Sequence, residues 1–229
     1  MAFFSTIGNF EIITIPNGAW RQNCYVVRHT PANHAIVVDP GSDAQAIIAA
    51  LKNTGASLQH ILLTHAHHDH VGAAAEICRE FDLPCTLHSD DLRLLRHAPL
   101  YALRFEGTTI DVPKNCQTFD QISPIEFGGN AVSVIHTPGH TRGSVAIAFD
   151  NFIFTGDTLM KNHLGRTDLP GGDRETLLRS VDAICENASP DTVIFPGHGP
   201  QWTIGEAKIW LAANDFSAET RTAEFAGQF

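Results

Sequence analysis

Residues 65 to 70 read His65-Ala66-His67-His68-Asp69-His70, directly after the apolar run Ile61-Leu62-Leu63-Thr64. Imidazole and carboxylate donors suit zinc, iron or manganese, and so many of them at one strand-to-loop junction would crowd like polar groups unless a cation organised them. The hexapeptide therefore predicts a metal site. Three downstream segments repeat the design: Thr137-Pro138-Gly139-His140, Phe154-Thr155-Gly156-Asp157 and Phe195-Pro196-Gly197-His198. Each carries a candidate ligand out of an apolar run at a turn rich in glycine or proline. Gly139, Gly156 and Gly197 each precede a ligand, as expected where the backbone must turn sharply to aim a side chain. Asp39-Pro40-Gly41 closes another apolar run, and Asp39 is expected to accept the proton of a ligating histidine and so orient its ring.

The ordered pattern His-x-His-x-Asp-His, then His, then Asp, then His resembles the metallo-β-lactamase superfamily over roughly residues 10 to 200. Three further segments, His140-Thr141-Arg142-Gly143-Ser144, Gly165-Arg166-Thr167-Asp168 and Pro196-Gly197-His198-Gly199-Pro200, resemble its glyoxalase II branch, the hydroxyacylglutathione hydrolases. Full-length glyoxalase II continues after its last ligand with a helical domain that grips glutathione. With 31 residues after His198, the chain is most similar to the short form.

The resemblance implies an αββα sandwich and a dinuclear centre. His65, His67 and His140 would hold the first metal, Asp69, His70 and His198 the second, and Asp157 would bridge them. Asp69 and Asp157 are then catalytic as well as ligating residues. Two divalent ions are implied, zinc first, with iron or manganese as alternatives. The remaining histidines, His29, His34, His60, His68, His88, His97, His136 and His163, are expected to be surface or packing residues. Metal binding lowers the pKa of water from 15.7 to about 7, so a bridging hydroxide supplies the nucleophile, and no Gly-x-Ser-x-Gly elbow competes for that role. Arg142 and Lys161 are the candidate contacts to an anionic substrate, whereas Arg166 is expected to lock its loop by pairing with a carboxylate.

The implied activity is hydrolysis of a small-molecule thioester, S-lactoylglutathione or a relative, because a thiolate departs without acid catalysis. Cleavage of acyl-carrier or acyl-CoA thioesters uses the same chemistry. A different class, the iron-dependent persulfide dioxygenases, resembles the chain through the same scaffold and would need only His65, His140 and Asp157. A zinc β-lactamase fits less well, because the common subclass places a cysteine where Asp157 stands. A structural metal site rarely needs seven ligands.

These ligands must be positioned by ordinary elements. Apolar runs at Glu11–Ile15, Cys24–Val27, Ala35–Val38, Ile61–Thr64, Cys85–Leu87, Ala131–His136, Val145–Phe149, Phe152–Thr155 and Thr192–Phe195 read as strands. Helices are expected from a cap at Asp43 to about Lys52, over Val71–Phe81, from about Asp90 to Arg96, over Arg174–Cys185 and over Gly205–Ala213. Residues 97–120 show no clean periodicity and read as a long loop beside the site. The two strand-and-helix halves imply two sheets packed face to face within one domain over residues 1–229.

Composition narrows the partners. With 15 basic against 25 acidic side chains the formal charge is −10, which repels a polyanion, so no nucleic acid is expected. No stretch approaches the twenty apolar residues of a membrane span, and Met1-Ala2-Phe3-Phe4-Ser5 lacks the features of a secretion signal. Five cysteines, Cys24, Cys78, Cys85, Cys116 and Cys185, stand singly in the chain and fit a reducing, cytoplasmic setting.

Overall fold

The computed structural model describes residues 2–119, 124–214 and 216. Its first half runs β1 (Phe3–Ile7), β2 (Phe10–Asn17), β3 (Gln22–His29), β4 (His34–Val38), α1 (Ala44–Thr54), β5 (Ser57–Leu62), α2 (His68–Val71), α3 (Ala74–Phe81), β6 (Cys85–His88), α4 (Leu92–Glu106) and β7 (Cys116–Phe119). The second half runs β8 (Ile125–Phe127), β9 (Asn130–His136), β10 (Val145–Ala148), β11 (Phe152–Gly156), β12 (Leu159–Met160), β13 (His163–Leu164), α5 (Arg174–Asn187), β14 (Val193–Pro196), β15 (Trp202–Thr203) and α6 (Ile204–Ala212).

Strands β1 to β7 form one sheet in sequence order, antiparallel through β4 and parallel from β4 to β7. The second sheet is ordered β15-β14-β11-β10-β9-β8, and β12-β13 is a separate small hairpin. The period-two alternation of the strands assigns each residue to a layer. In β3, Tyr25 and Val27 face the inter-sheet core with Phe127, Phe152, Phe154 and Phe195, while Cys24 and Val26 face the outer helices with Ile47, Ile77 and Leu95. On the far side, Ala146, Ile153 and Ile194 of the second sheet pack under Leu177, Val181 and Ile184 of α5 and Ala207 of α6. This is the expected αββα sandwich. Among the described residues no helix is long and apolar enough to cross a membrane.

Three local expectations are corrected. The segment 97–120 is not a long loop, because α4 continues through Pro99 to Glu106 and β7 begins at Cys116. Proline removes one helical hydrogen bond, but Leu95, Ala98 and Ala102 bury one face of α4, and that packing outweighs the loss. The helix expected over Val71–Phe81 begins earlier, at His68, and is broken at Gly72-Ala73, where the Ala73 amide donates to the Pro40 carbonyl. Asp43 stands before α1 in a left-handed conformation and its side chain makes no cap hydrogen bond. The tail after Asn214, apart from Phe216, lies outside the described residues.

Candidate metal centre

All seven sequence-predicted ligands converge at one edge of the sandwich. His65 and His67 follow β5, Asp69 and His70 ride on α2, His140 lies in the β9–β10 connection, Asp157 follows β11 and His198 follows β14. Because β11 and β14 are parallel neighbours, their ends are held level, and the Gly197 amide donates to the Gly156 carbonyl at 2.8 Å. The two sheets are joined here by the Val145 amide donating to the Thr64 carbonyl at 2.8 Å. Gly156 has φ +49°, and a Cβ on it would stand 2.5 Å from Thr64 Oγ1. A Cβ on Gly197 would run into Asp157 Oδ1 and stand 2.7 Å from His70 Cε1. Both glycines leave these side chains room, and the left-handed turn that glycine permits is found at Gly156 and Gly139 but not at Gly197.

Two clusters share one carboxylate. His65 Nε2, His67 Nδ1 and His140 Nε2 lie 2.9, 3.1 and 3.3 Å apart pairwise. In the second cluster His198 Nε2 is 3.2 Å from Asp69 Oδ2 and 3.4 Å from His70 Nε2. Asp157 stands between them, with Oδ1 3.4 Å from His70 Nε2 and Oδ2 3.6 Å from both His140 Nε2 and His198 Nε2. Its Oδ1 is buried and has no hydrogen-bond partner. A buried carboxylate oxygen without a donor is costly unless a cation compensates it.

Hydrogen bonds to the outer ring nitrogens set which lone pairs face inward. His140 Nδ1–H donates to the Arg166 carbonyl at 2.8 Å, and His198 Nδ1–H to the Trp20 carbonyl at 3.1 Å. His70 Nδ1–H donates to Asp39 Oδ2 at 2.9 Å. His65 Nδ1–H reaches Thr64 Oγ1 at 3.1 Å, and that hydroxyl donates to Asp39 Oδ2 at 2.6 Å. Asp39 thus orients one ring directly and another through Thr64, turning Nε2 of each toward the clusters, the nitrogen through which a neutral imidazole would bind a cation.

The electrostatics differ between clusters. Burial, reinforced by neighbouring imidazoles, lowers the pKa of His65 and brings that of His67 down to about 3; burial also lowers that of His140. These three imidazoles are neutral at neutral pH. For His70 and His198 burial again pulls down, but Asp157 and Asp69 outweigh it and raise both. Burial pushes Asp69 and Asp157 up, and the facing histidines bring both carboxyls well below the usual range. Nitrogen and carboxylate donors with fixed tautomers fit zinc, iron or manganese.

Sequence reasoning missed the residues that hold the loops. Asp91, 1% exposed, accepts from the Ala66 amide at 2.9 Å, Thr141 Oγ1 at 2.9 Å and the Gly143 amide at 2.8 Å. It ties the hexapeptide loop to the His140 loop. Asn23 Nδ2 donates to the Pro196 and Gly199 carbonyls, and the Tyr25 hydroxyl to the Pro196 carbonyl, which fixes the turn carrying His198. His68 is turned away from the clusters, 3.1 Å from Glu106 Oε1 and stacked on Phe105. Arg166 pairs with Asp168 through two contacts of 2.7 Å, as anticipated. Lys161 is 3.5 Å from Glu206, and Arg142 lines a groove of about 420 Å³ with Asp90, His136, Pro138 and Asp173. Neither makes a hydrogen bond or ion pair with the seven ligand side chains among the described residues.

The family model described as the metallo-beta-lactamase superfamily matches residues 17–198. The chain belongs to that superfamily. An uncharacterized protein of Mycobacterium tuberculosis is 37% identical over 209 residues, covering 85% of this chain and 93% of its own. A Haemophilus influenzae protein named hydroxyacylglutathione hydrolase GloC is 36% identical over 204 residues, covering 87% and 95%. Among solved structures, the BLEG-1 B3 metallo-beta-lactamase superposes with TM-score 0.78 at 35% identity, covering 86% of this chain and 95% of that one. TTHA1623 in a di-iron-bound form gives TM-score 0.76 at 35% identity, covering 84% and 95%. Membership places the chain among metal-dependent hydrolases, and the His/Asp clusters at the sheet edge are its candidate metal centre.

Proposed function

We propose that the chain is a dinuclear thioester hydrolase of the hydroxyacylglutathione hydrolase type, with His65, His67 and His140 at one ion, Asp69, His70 and His198 at the other, and Asp157 shared. The observation that carries the two-ion reading is Asp157, whose buried, unpartnered Oδ1 faces His70 while Oδ2 faces His140 and His198. The GloC relative supports the thioester class, and the di-iron form of TTHA1623 supports a pair of ions, with the donor set suiting zinc, iron or manganese.

When bound, divalent ions would supply a hydroxide nucleophile at neutral pH and polarise the attacked carbonyl. The chain's own contribution is positioning. Asp39 and Thr64 hold His65 and His70 in the ligating tautomer, Arg166 and Trp20 carbonyls do the same for His140 and His198, and Asp91 keeps the two ligand loops in register. A thiolate departs without the proton that an alkoxide or amine leaving group requires. Arg142 and Lys161 are proposed as the cations that meet an anionic carrier.

The likeness to a B3 metallo-beta-lactamase makes β-lactams the competing substrate class. The test is kcat/KM for S-lactoylglutathione, an acyl-CoA, an acyl-carrier thioester, the matched oxygen ester and a cephalosporin, on protein of measured metal content. A thioester preference of several orders of magnitude is expected. Comparable or faster β-lactam turnover, or no thioester turnover with both ions bound, overturns the assignment. Oxygen uptake with a persulfide and a single iron would move it to the dioxygenase class.

A further inference from the structure

Cysteines that stand singly in the sequence meet in the fold. Cys78 on α3, Cys85 at the start of β6 and Cys116 at the start of β7 come together on the helix-covered side of the first sheet, all as free thiols. Cys85 and Cys116 are register partners across the parallel β6–β7 pair, and their sulfurs are 3.1 Å apart. Neighbouring strands lie about 4.8 Å apart, inside the Cα separation that a disulfide spans, about 4.4–6.8 Å. Cys85 is fully buried, whereas Cys116 is partly open to solvent.

We propose that Cys85 and Cys116 are a redox-active thiol pair which a hydroperoxide converts to a reversible disulfide, clasping strand β7 to the sheet. β7 is a four-residue strand at the sheet edge, and residues 107–115 leading into it form no helix or strand. A bridge at its first residue would anchor an edge strand that pairs with the sheet on one side only, through four residues. Hydrogen bonds with Cys85 lower the pKa of both Cys116 and Cys78 and raise that of Cys85, so the partly exposed sulfurs are favoured as thiolates over the buried one, and of the two it is Cys116 that stands in strand register with Cys85. Thiolates are the sulfur nucleophiles toward peroxide.

The chemistry balances. The Cys116 thiolate attacks one peroxide oxygen, the O–O bond breaks, and Cys116 becomes a sulfenic acid while the other oxygen leaves as hydroxide and takes a proton. Cys85 then loses its proton, its sulfur attacks the Cys116 sulfur, the S–S bond forms and the S–O bond breaks to release water. Two thiols give up two electrons to the hydroperoxide. Disulfides of this kind in reducing compartments are transient and redox-sensing. Cys24 on β3 and Cys185 on α5 are buried, and among the described residues neither makes a hydrogen bond with this group.

The experiment treats the reduced, metal-loaded full chain with a modest excess of hydrogen peroxide, then alkylates in denaturant and maps the peptides. The expected result is a fall of two in the titre of five thiols, a loss of two hydrogens in intact mass, and a Cys85–Cys116 linked peptide that dithiothreitol removes. Cys116 should be consumed at least tenfold faster than Cys24. Cys78→Ser should keep the bridge, and Cys116→Ser should retain all its remaining thiols over the same interval. A wild-type protein that forms no Cys85–Cys116 peptide, that bridges another pair, or that oxidises Cys116 only to sulfinic acid overturns the proposal.

Discussion

Asp39→Asn isolates the device that aims two ligands at once. Asp39 is 1% exposed and has φ +50°, a conformation that Asn tolerates well, so the backbone should survive the change. Its Oδ1 accepts the Thr64 amide at 2.7 Å, while Oδ2 accepts both the Thr64 hydroxyl at 2.6 Å and His70 Nδ1–H at 2.9 Å. An amide cannot satisfy all three donors. If its NH2 takes the Oδ2 position, His70 Nδ1 must become an acceptor and its proton moves to Nε2, the atom facing the second cluster. The Thr64 hydroxyl, now accepting from the amide, turns its hydrogen toward His65 Nδ1 and drives that proton to Nε2 as well. If the amide flips, its NH2 faces the Thr64 N–H and two donors collide.

Removing such an outer partner costs 10–100-fold in metal affinity, or about 1.4–2.7 kcal/mol. The stability cost of one mismatched buried donor is about 1–3 kcal/mol. Dialysis against buffered free zinc over several decades, with elemental analysis, reads the affinity, and urea unfolding of the metal-free protein reads the stability. Both sites should weaken, because one carboxylate oxygen serves His65 and His70 together. An Asp39→Asn protein that folds and holds both ions with unchanged affinity would refute the tautomer argument.

Asp157→Ala should lose occupancy at both sites, since its two oxygens face different clusters; elemental analysis that never exceeds one equivalent in wild type would instead remove the two-ion reading. His198→Ala should keep one ion while thioester cleavage falls by orders of magnitude, and full activity would favour a mononuclear mechanism. Gly197→Ala should fold yet bind metal poorly, because the new methyl falls on Asp157 Oδ1, and a metal titration decides it. Leu95→Ala should cost about 2–5 kcal/mol in urea unfolding, since Leu95 lies on the buried face of α4; a near-neutral result would show that the helix does not depend on that face.

The convergence of the candidate ligands was legible because their placement is local. Each segment that carries them follows an apolar run that forms a strand, and a glycine precedes His140, Asp157 and His198, so position along the sequence nearly determines position at the sheet edge. The same holds for Asp39, which closes β4 beside β5 in parallel register and therefore meets the hexapeptide. The loop reading of residues 97–120 failed for the complementary reason. Pro99 weighs against a helix in isolation, and only the surface that Leu95, Ala98 and Ala102 cover reverses that balance.

Asp91 and the Cys78, Cys85 and Cys116 group show what spacing cannot encode. Asp91 sits 25 residues from Ala66 and 52 from Gly143, and nothing in its neighbours distinguishes it from the adjacent Asp90. Its role follows from the start of α4 being set down between two ligand loops, a tertiary event. Burial raises its pKa, and the hydrogen bonds from Gly143, Thr141 and Ala66 offset that rise only in part. Asp91→Ala should therefore destabilise by more than an ordinary surface change, on the order of 3 kcal/mol for the stranded donors, and should weaken metal at His65, His67 and His140 without touching any of them. The loss follows from geometry alone: once the carboxylate is gone, nothing else bonds the Ala66 amide and the Gly143 amide to a common point, and the first cluster is built from the two loops those amides belong to.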